Sequence, residues 1–355
     1  MSEELKNIIK VACIYATSII GAGFASGQEI MQFFSVYRSG GFYGIVLAGA
    51  LFAATGSVVL VKVCNERIRN FEEFLFPLFG WRMGWFLDIA VTIFMLCIFC
   101  IMTAGSGSVV SDRLGISFKL AALLTGVVCT VLIMTNIKGI VTLSTIVTPF
   151  LIAGIILTGF AIIFKGAAET FQVAGYFQRI SDNWFFSSLL YVSYNSILSI
   201  VIMCSLLPFL KTRRTAVAGG IAGGALLCLA ALVIHFAINL FYPLAFEKEL
   251  PILAILKSFD SPAGGTYSLV LWIAMMTSAI TAGFCFTERI SMIMKIDRRI
   301  VTLFLCVAAV PLSTLGFSRL ISAIYPVFGY MGLFMILVIL TQSAVKLFAR
   351  HGGRK

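Results

Sequence analysis

Charge is scarce in this sequence. Only 12% of the 355 residues are Asp, Glu, Lys or Arg, against roughly 25% in an average soluble domain. No long polar stretch divides the chain. These two absences exclude a soluble enzyme and a disordered protein. Catalytic and phosphate-binding signatures are missing too: no nucleotide loop, HExxH, GxSxG or clustered metal-ligand motif occurs. Alternating strands of about ten residues are absent, which excludes a β-barrel. A cleavable signal peptide is not expected, because MSEELKNIIK is short and charged and the first apolar run is long and has no small-residue cleavage site. The nine Cys lie mostly inside apolar runs, Cys97 and Cys100 included. They read as small packing residues, not as a disulfide framework.

What is present is apolar: 60% of the residues are hydrophobic. Runs long enough to cross a bilayer, which takes about 20 residues each, recur from Lys10 to Lys346 between short charged clusters. They predict an all-α polytopic membrane protein of ten transmembrane helices, near 8–36, 41–63, 84–110, 118–135, 139–165, 184–210, 215–243, 266–294, 299–317 and 319–348. Ten crossings put both termini on one side, and loop charge chooses the side. With the N-terminus inside, 18 of the 26 Lys and Arg fall in inner segments. The expectation is a single domain, 1–355, in the cell membrane with both termini cytoplasmic. The net charge of +11 then reports orientation in the bilayer and not a nucleic-acid surface. Trp81, Trp85 and Trp184 sit at expected interfaces. The stretch PILAILKSF, within 244–265, is too short to span and predicts a re-entrant or surface helix.

Helices 1–5, about 8–165, and helices 6–10, about 184–348, are halves of similar length. An odd number per half inverts the second, a plan shared by many secondary transporters. That plan expects helices 1 and 6 to be broken near mid-membrane. Helix 1 contains Gly21-Ala22-Gly23-Phe24-Ala25-Ser26-Gly27-Gln28-Glu29, and helix 6 contains Tyr191-Val192-Ser193-Tyr194-Asn195-Ser196. Each Gly weakens a helix by about 1 kcal/mol relative to Ala. An unwound stretch is tolerated in a membrane only inside protein or beside a cavity. Tight packing of small residues against a neighbouring helix is the other reading of the glycines.

Ser26-Gly27-Gln28-Glu29 fits the S-x-x-E capping box. Glu29 is thus either the cap of an outer half-helix or a functional acid, carrying a proton or facing a cationic solute. It is the one acid expected well inside a helix, where such residues are costly. Gly219-Gly220 and Gly223-Gly224 predict close helix packing, and His235 reads as a packed residue. Asp88 and Glu288, near inner helix ends, read as partners for basic loops or as gates.

Ile19-Ile20-Gly21-Ala22-Gly23-Phe24 resembles the first-helix motif of the amino acid–polyamine–organocation superfamily, whose members share the LeuT-type five-plus-five inverted repeat. The longer string Ile20 to Glu29 resembles the YkvI group of bacterial membrane proteins. The resemblance implies a sodium site with carbonyls of Thr17 and Ile20 from helix 1, and the Ala274 carbonyl with the Thr277 and Ser278 hydroxyls from helix 8. Oxygen donors suit a hard cation. A Thr-Ser pair bonded back to its own helix is the alternative. Proton-coupled relatives often carry a Lys inside helix 5; this helix has Ser144, Thr145 and Thr148 and no interior Lys. That ranks Na+ ahead of H+ as the coupling ion. The resemblance also implies a substrate site at Gly21, Ala22, Gly23, Phe24, Ser26, Gln28 and Glu29, faced by Ser193, Tyr194 and Asn195. The Gln28-Glu29 pair departs from the amino-acid carriers of this fold. The expected function is a cation-coupled secondary transporter of a small polar solute, such as an amino acid or amine, and not an enzyme. Its expected partners are that solute and the lipid bilayer. A transporter-derived receptor that binds a small molecule without flux is the alternative.

Overall fold

A computed structural model describes residues 3–135, 137–165, 180–245, 248–259 and 262–352. The helix 5 positions Lys138, Ser144, Thr145, Thr148 and Pro149 have side chains outside the described set. Among the described residues all regular structure is helical.

The α-helices in chain order are α1 (Glu3–Ile19), α2 (Ala22–Ala25), α3 (Gln28–Phe33), α4 (Ser39–Glu66), α5 (Phe71–Leu114), α6 (Phe118–Thr135) and α7 (Ile137–Phe164). They continue as α8 (Trp184–Cys204), α9 (Arg213–Leu240), α10 (Tyr242–Ala245), α11 (Pro251–Lys257), α12 (Pro262–Met294), α13 (Arg298–Ser313) and α14 (Phe317–Gly352). Among the described residues, six are long and apolar enough to cross a membrane: α4, α5, α8, α9, α12 and α14. Shorter apolar helices occupy Phe118–Met134 and Phe150–Phe164. The chain is therefore a mostly helical multi-pass protein.

Helix ends outrun the apolar windows where capping or charge sustains them. α5 begins at Phe71 because Asn70 caps it: its side chain accepts from the Glu73 amide at 2.8 Å, while Glu73 accepts from the Arg69 amide at 2.8 Å. Gly80, at φ 72 and ψ 171, then kinks α5. PILAILK forms the short helix α11, whose Pro251 starts it and whose apolar side chains are mostly buried.

One expectation is corrected. α8 runs as an uninterrupted helix from Trp184 to Cys204, through the stretch 191–196 where a break was expected. Its polar groups bond back along the helix. Ser193 donates to the Leu189 carbonyl at 2.6 Å, Asn195 to Tyr191 at 3.0 Å and Ser196 to Val192 at 2.7 Å. Polar side chains that satisfy themselves on their own helix create no reason to unwind it.

The glycines of α9 permit its close packing. A methyl group added at Gly220 would stand 2.4 Å from the Ser57 amide nitrogen of α4, and one at Gly223 would stand 2.4 Å from the Tyr15 ring of α1. The Tyr15 hydroxyl donates to the Phe52 carbonyl at 2.8 Å and joins α1 to α4. α1, α4, α8 and α9 thus form one packed group, and α5, α6, α12 and α13 another. α14 packs on α8 and α5. Arg289 of α12 pairs with Asp88 of α5, and Arg298 pairs with Glu288 at 2.8 Å. His235 is buried, with Nδ1 2.9 Å from the Ser35 hydroxyl.

Candidate functional site

The first helical stretch is interrupted twice. After Ile19 the backbone extends at Gly21, at φ −96 and ψ −172. The Gly21 amide turns back to the Ile19 carbonyl at 2.8 Å. Among the described residues, no backbone amide reaches the carbonyls of Thr17, Ser18 or Ile20, and no backbone acceptor takes the amides of Ala22, Gly23 or Phe24. One turn, α2, follows before Gly27 adopts φ 82, a left-handed conformation that favours glycine. The pieces are tied from outside. Tyr267 of α12 donates to the Ala25 carbonyl at 2.6 Å, and the Ile252 amide of α11 donates to the Ser26 carbonyl at 3.1 Å.

Glu29 does not close a capping box. The Ser26 amide bonds to the Ala22 carbonyl at 2.8 Å. The Ser26 hydroxyl donates to Gly23 at 3.0 Å and accepts from the Gln28 amide at 3.3 Å. The Glu29 carboxyl is buried and accepts from the Tyr194 hydroxyl at 2.8 Å. The Tyr191 ring packs edge-on against Tyr194, with centroids 5.6 Å apart. The Tyr194 and Tyr325 rings stack with centroids 4.3 Å apart. Glycine at position 23 makes room for this arrangement, since a methyl group there would lie 2.2 Å from Glu29 Oε1.

A cavity of about 290 Å³ lies between the two packed groups. All five expected cation-site residues border it: Thr17, Ile20, Ala274, Thr277 and Ser278. The Thr277 hydroxyl donates to the Ala274 carbonyl at 2.9 Å. Of the expected substrate residues, Gly21, Glu29, Tyr194 and Asn195 border the same cavity. Ala22, Gly23, Phe24, Ser26, Gln28 and Ser193 are buried and do not line it. The Ser193 backbone instead packs against Gly332 of α14. Gln28 belongs to another network. With its amide oriented to satisfy both ends, it donates to the Lys248 carbonyl at 2.9 Å and accepts from Gln32 at 2.8 Å and from Ser318.

Local sequence gave no sign of Phe94 or Tyr267 and only an indirect one of Tyr325. They lie on α5, α12 and α14 and reach the site only through packing. The one available cue for Tyr325 was its neighbour Pro326, which sits inside an unbroken α14.

The cavity wall draws on Thr17 and Ser18 of α1, Leu198, Val201 and Ile202 of α8 and Thr281, Ala282 and Cys285 of α12. The α8 and α12 segments lie toward the C-terminal ends of their helices, on the side of the bundle where Lys211, just before α9, meets Glu3 at 2.5 Å. The opposite end is filled by α11, the Gln28–Gln32–Ser318 network and the Arg38 guanidinium, 3.8 Å from the Tyr242 ring centre.

No protein-family model matches the chain. It is 24% identical to the membrane protein YkvI of Bacillus subtilis (strain 168) over 345 residues, covering 97% of this chain and 98% of that protein. YyaD of the same organism is 26% identical over 328 residues, covering 91% and 93%. Among solved structures, Mhp1 in its inward-facing conformation superposes with a TM-score of 0.65 at 13% identity, over 94% of this chain and 75% of that one. A substrate-bound, outward-open Na+-coupled sialic acid symporter gives 0.56 at 15% identity, over 92% and 77%. A manganese transporter of Eremococcus coleocola gives 0.61 at 14% identity, over 93% and 77%. The resemblance carried by residues 19–29 thus extends to the whole chain, a homologue of the membrane protein YkvI and of YyaD built on the LeuT-type fold.

Proposed function

We propose that the chain is a cation-coupled secondary transporter, driven by sodium ahead of protons, that moves a small polar solute such as an amino acid or amine by alternating access. The observation that carries this reading is the shared cavity, bordered both by Thr17, Ile20, Ala274, Thr277 and Ser278 and by Glu29, Tyr194 and Asn195. The carbonyls of Thr17 and Ile20 lack amide partners among the described residues, and hydroxyl and carbonyl oxygens suit a hard cation. Among the described residues no three His, Cys, Asp or Glu side chains gather as a metal cargo site would need. The interrupted stretch α1–α3 serves as the discontinuous first helix of a ten-helix inverted repeat with both termini cytoplasmic. On that orientation the cavity faces the cytoplasm. Sodium held between α1 and α12 would draw the two packed groups together and close it.

The test is uptake into proteoliposomes under imposed gradients, with a broad solute panel. An inward sodium gradient should drive accumulation, and Thr277→Ala/Ser278→Ala should abolish the sodium dependence. The reading fails if no solute responds to a sodium or proton gradient, or if the double variant leaves sodium dependence intact.

A further inference from the structure

Glu29 is the one carboxylate among the described residues that line the cavity, and no Lys, Arg or His joins it there. Its hydrogen-bond donor at 2.8 Å is a neutral phenol, that of Tyr194, and the rings of Tyr325 and Tyr191 pack on that phenol. Buried charges are tolerated when paired and hydrogen-bonded. Here the hydrogen bond is present and the counter-charge is missing from the wall.

The carboxyl's position gives a second, independent observation. Its Oε1 lies against Gly23, so closely that a methyl group on that residue would come within 2.2 Å. Gly21 to Phe24 belong to the expected substrate site, and among the described residues no backbone acceptor takes the amides of Ala22, Gly23 or Phe24. Here Glu29, six residues further on, folds back over that segment. A carboxylate of the protein's own thus stands beside Gly23, within the expected substrate segment.

We infer that Glu29 supplies this site with its carboxylate, so that the solute is a small organic monocation, a protonated amine bearing no carboxylate, and amino acids are rejected. This inference rests on the transport reading above and narrows its solute class. The ammonium group completes the charge balance of Glu29. A zwitterion of the same size brings a second carboxylate into a wall that offers it no basic side chain. The stacked rings of Tyr194 and Tyr325 and the neighbouring Phe94, 6.3 Å from Tyr325 between ring centres, suit a cation, since aromatic faces attract positive charge. Met95, Ile98 and Met102 extend the wall with apolar surface for the rest of the molecule. A volume of about 290 Å³ lies at the lower end of the range of ligand pockets, which sets the size as small.

The experiment compares three ligands with one ring: phenethylammonium, the neutral 2-phenylethanol and the zwitterion phenylalanine. Binding to the purified full chain in detergent is measured by calorimetry and thermal shift. Phenethylammonium should bind about 10- to 100-fold tighter than either of the others, the range expected of a hydrogen bond to a charged group. Glu29→Gln should bring its affinity down to that of the alcohol. The three-ligand comparison on the unaltered chain stands even if Glu29→Gln does not fold. Equal or tighter binding of phenylalanine overturns the inference. So does full ammonium affinity in Glu29→Gln, or failure of every ammonium from dimethylammonium to phenethylammonium to bind. Uptake separates the two readings. Sodium-driven uptake of phenylalanine would sink the monocation and leave the transporter standing. Glu29-dependent amine binding with no gradient-driven uptake would keep the site and sink the transporter.

Discussion

Two segments carry comparable signals for a broken helix, and they behave differently. Residues 19–33 lose their helix at Gly21 and again at Gly27. Residues 191–196, which hold two Ser, an Asn and two Tyr, stay helical. The difference separates two meanings of an unusual sequence inside a membrane. Glycine removes the side chain that resists extended or left-handed backbone, so Gly27 can take φ 82. Ser and Asn bring polar atoms but also the means to satisfy them. In α8 each bonds to a carbonyl one turn back, or nearly so. Glycine therefore permits the chain to unwind at 21 and 27, while the four glycines of α9 serve close packing within an unbroken helix; polar density marks only where polar atoms had to be placed.

A methyl-bearing side chain at the interruption should have the largest effect. Gly23→Val drives its Cβ onto the Glu29 carboxyl, 2.2 Å away, and should cost about 2–3 kcal/mol through overpacking, measured as a fall in the unfolding midpoint in detergent. It should also abolish amine binding. A neutral result would mean that Glu29 leaves Gly23 easily and that the interruption is not built around it.

Gly27→Ala should come next, at about 1–2 kcal/mol for a side chain forced into the left-handed region, with added crowding from Ile252, 2.9 Å from the new Cβ. A stable, fully folded variant would remove the main contrast with α8. The smallest effect belongs to α8 itself. Ser196→Ala deletes a hydroxyl bonded within the same helix and should change stability by no more than about 0.6 kcal/mol, the average found for side-chain hydrogen bonds in one membrane protein. A larger loss would show that this stretch depends on its polar groups as strongly as residues 19–33 depend on their glycines.

A second pair of segments shows how far local motifs can be read. Ser26-x-x-Glu29 and Asn70-x-x-Glu73 both have the form of a capping box. At 70–73, an exposed helix start, Asn70 caps the Glu73 amide and Glu73 reaches back to the backbone, to the Arg69 amide one residue before the cap. At 26–29 no box forms, because Tyr194, 165 positions away in the chain, offers Glu29 a buried hydroxyl. The local pattern was present at both places, and the surroundings selected between its uses.

Run length and glycine placement are local properties, and they were sufficient for the membrane class, for the bounds of α6 and, within a few residues, for α4 and α12, and for the interruption near Gly21. Apolar length decides whether a segment can cross a bilayer, and a missing side chain leaves the backbone free to extend, as at Gly21, or to pack closely, as in α9. Packing decided the rest. It brought α1, α8 and α12 to one cavity, gave Glu29 the Tyr194 hydroxyl, turned Gln28 away toward Ser318 and kept α8 whole. Each of those outcomes depends on which polar atoms meet after distant helices dock, and no window of neighbouring residues contains that information.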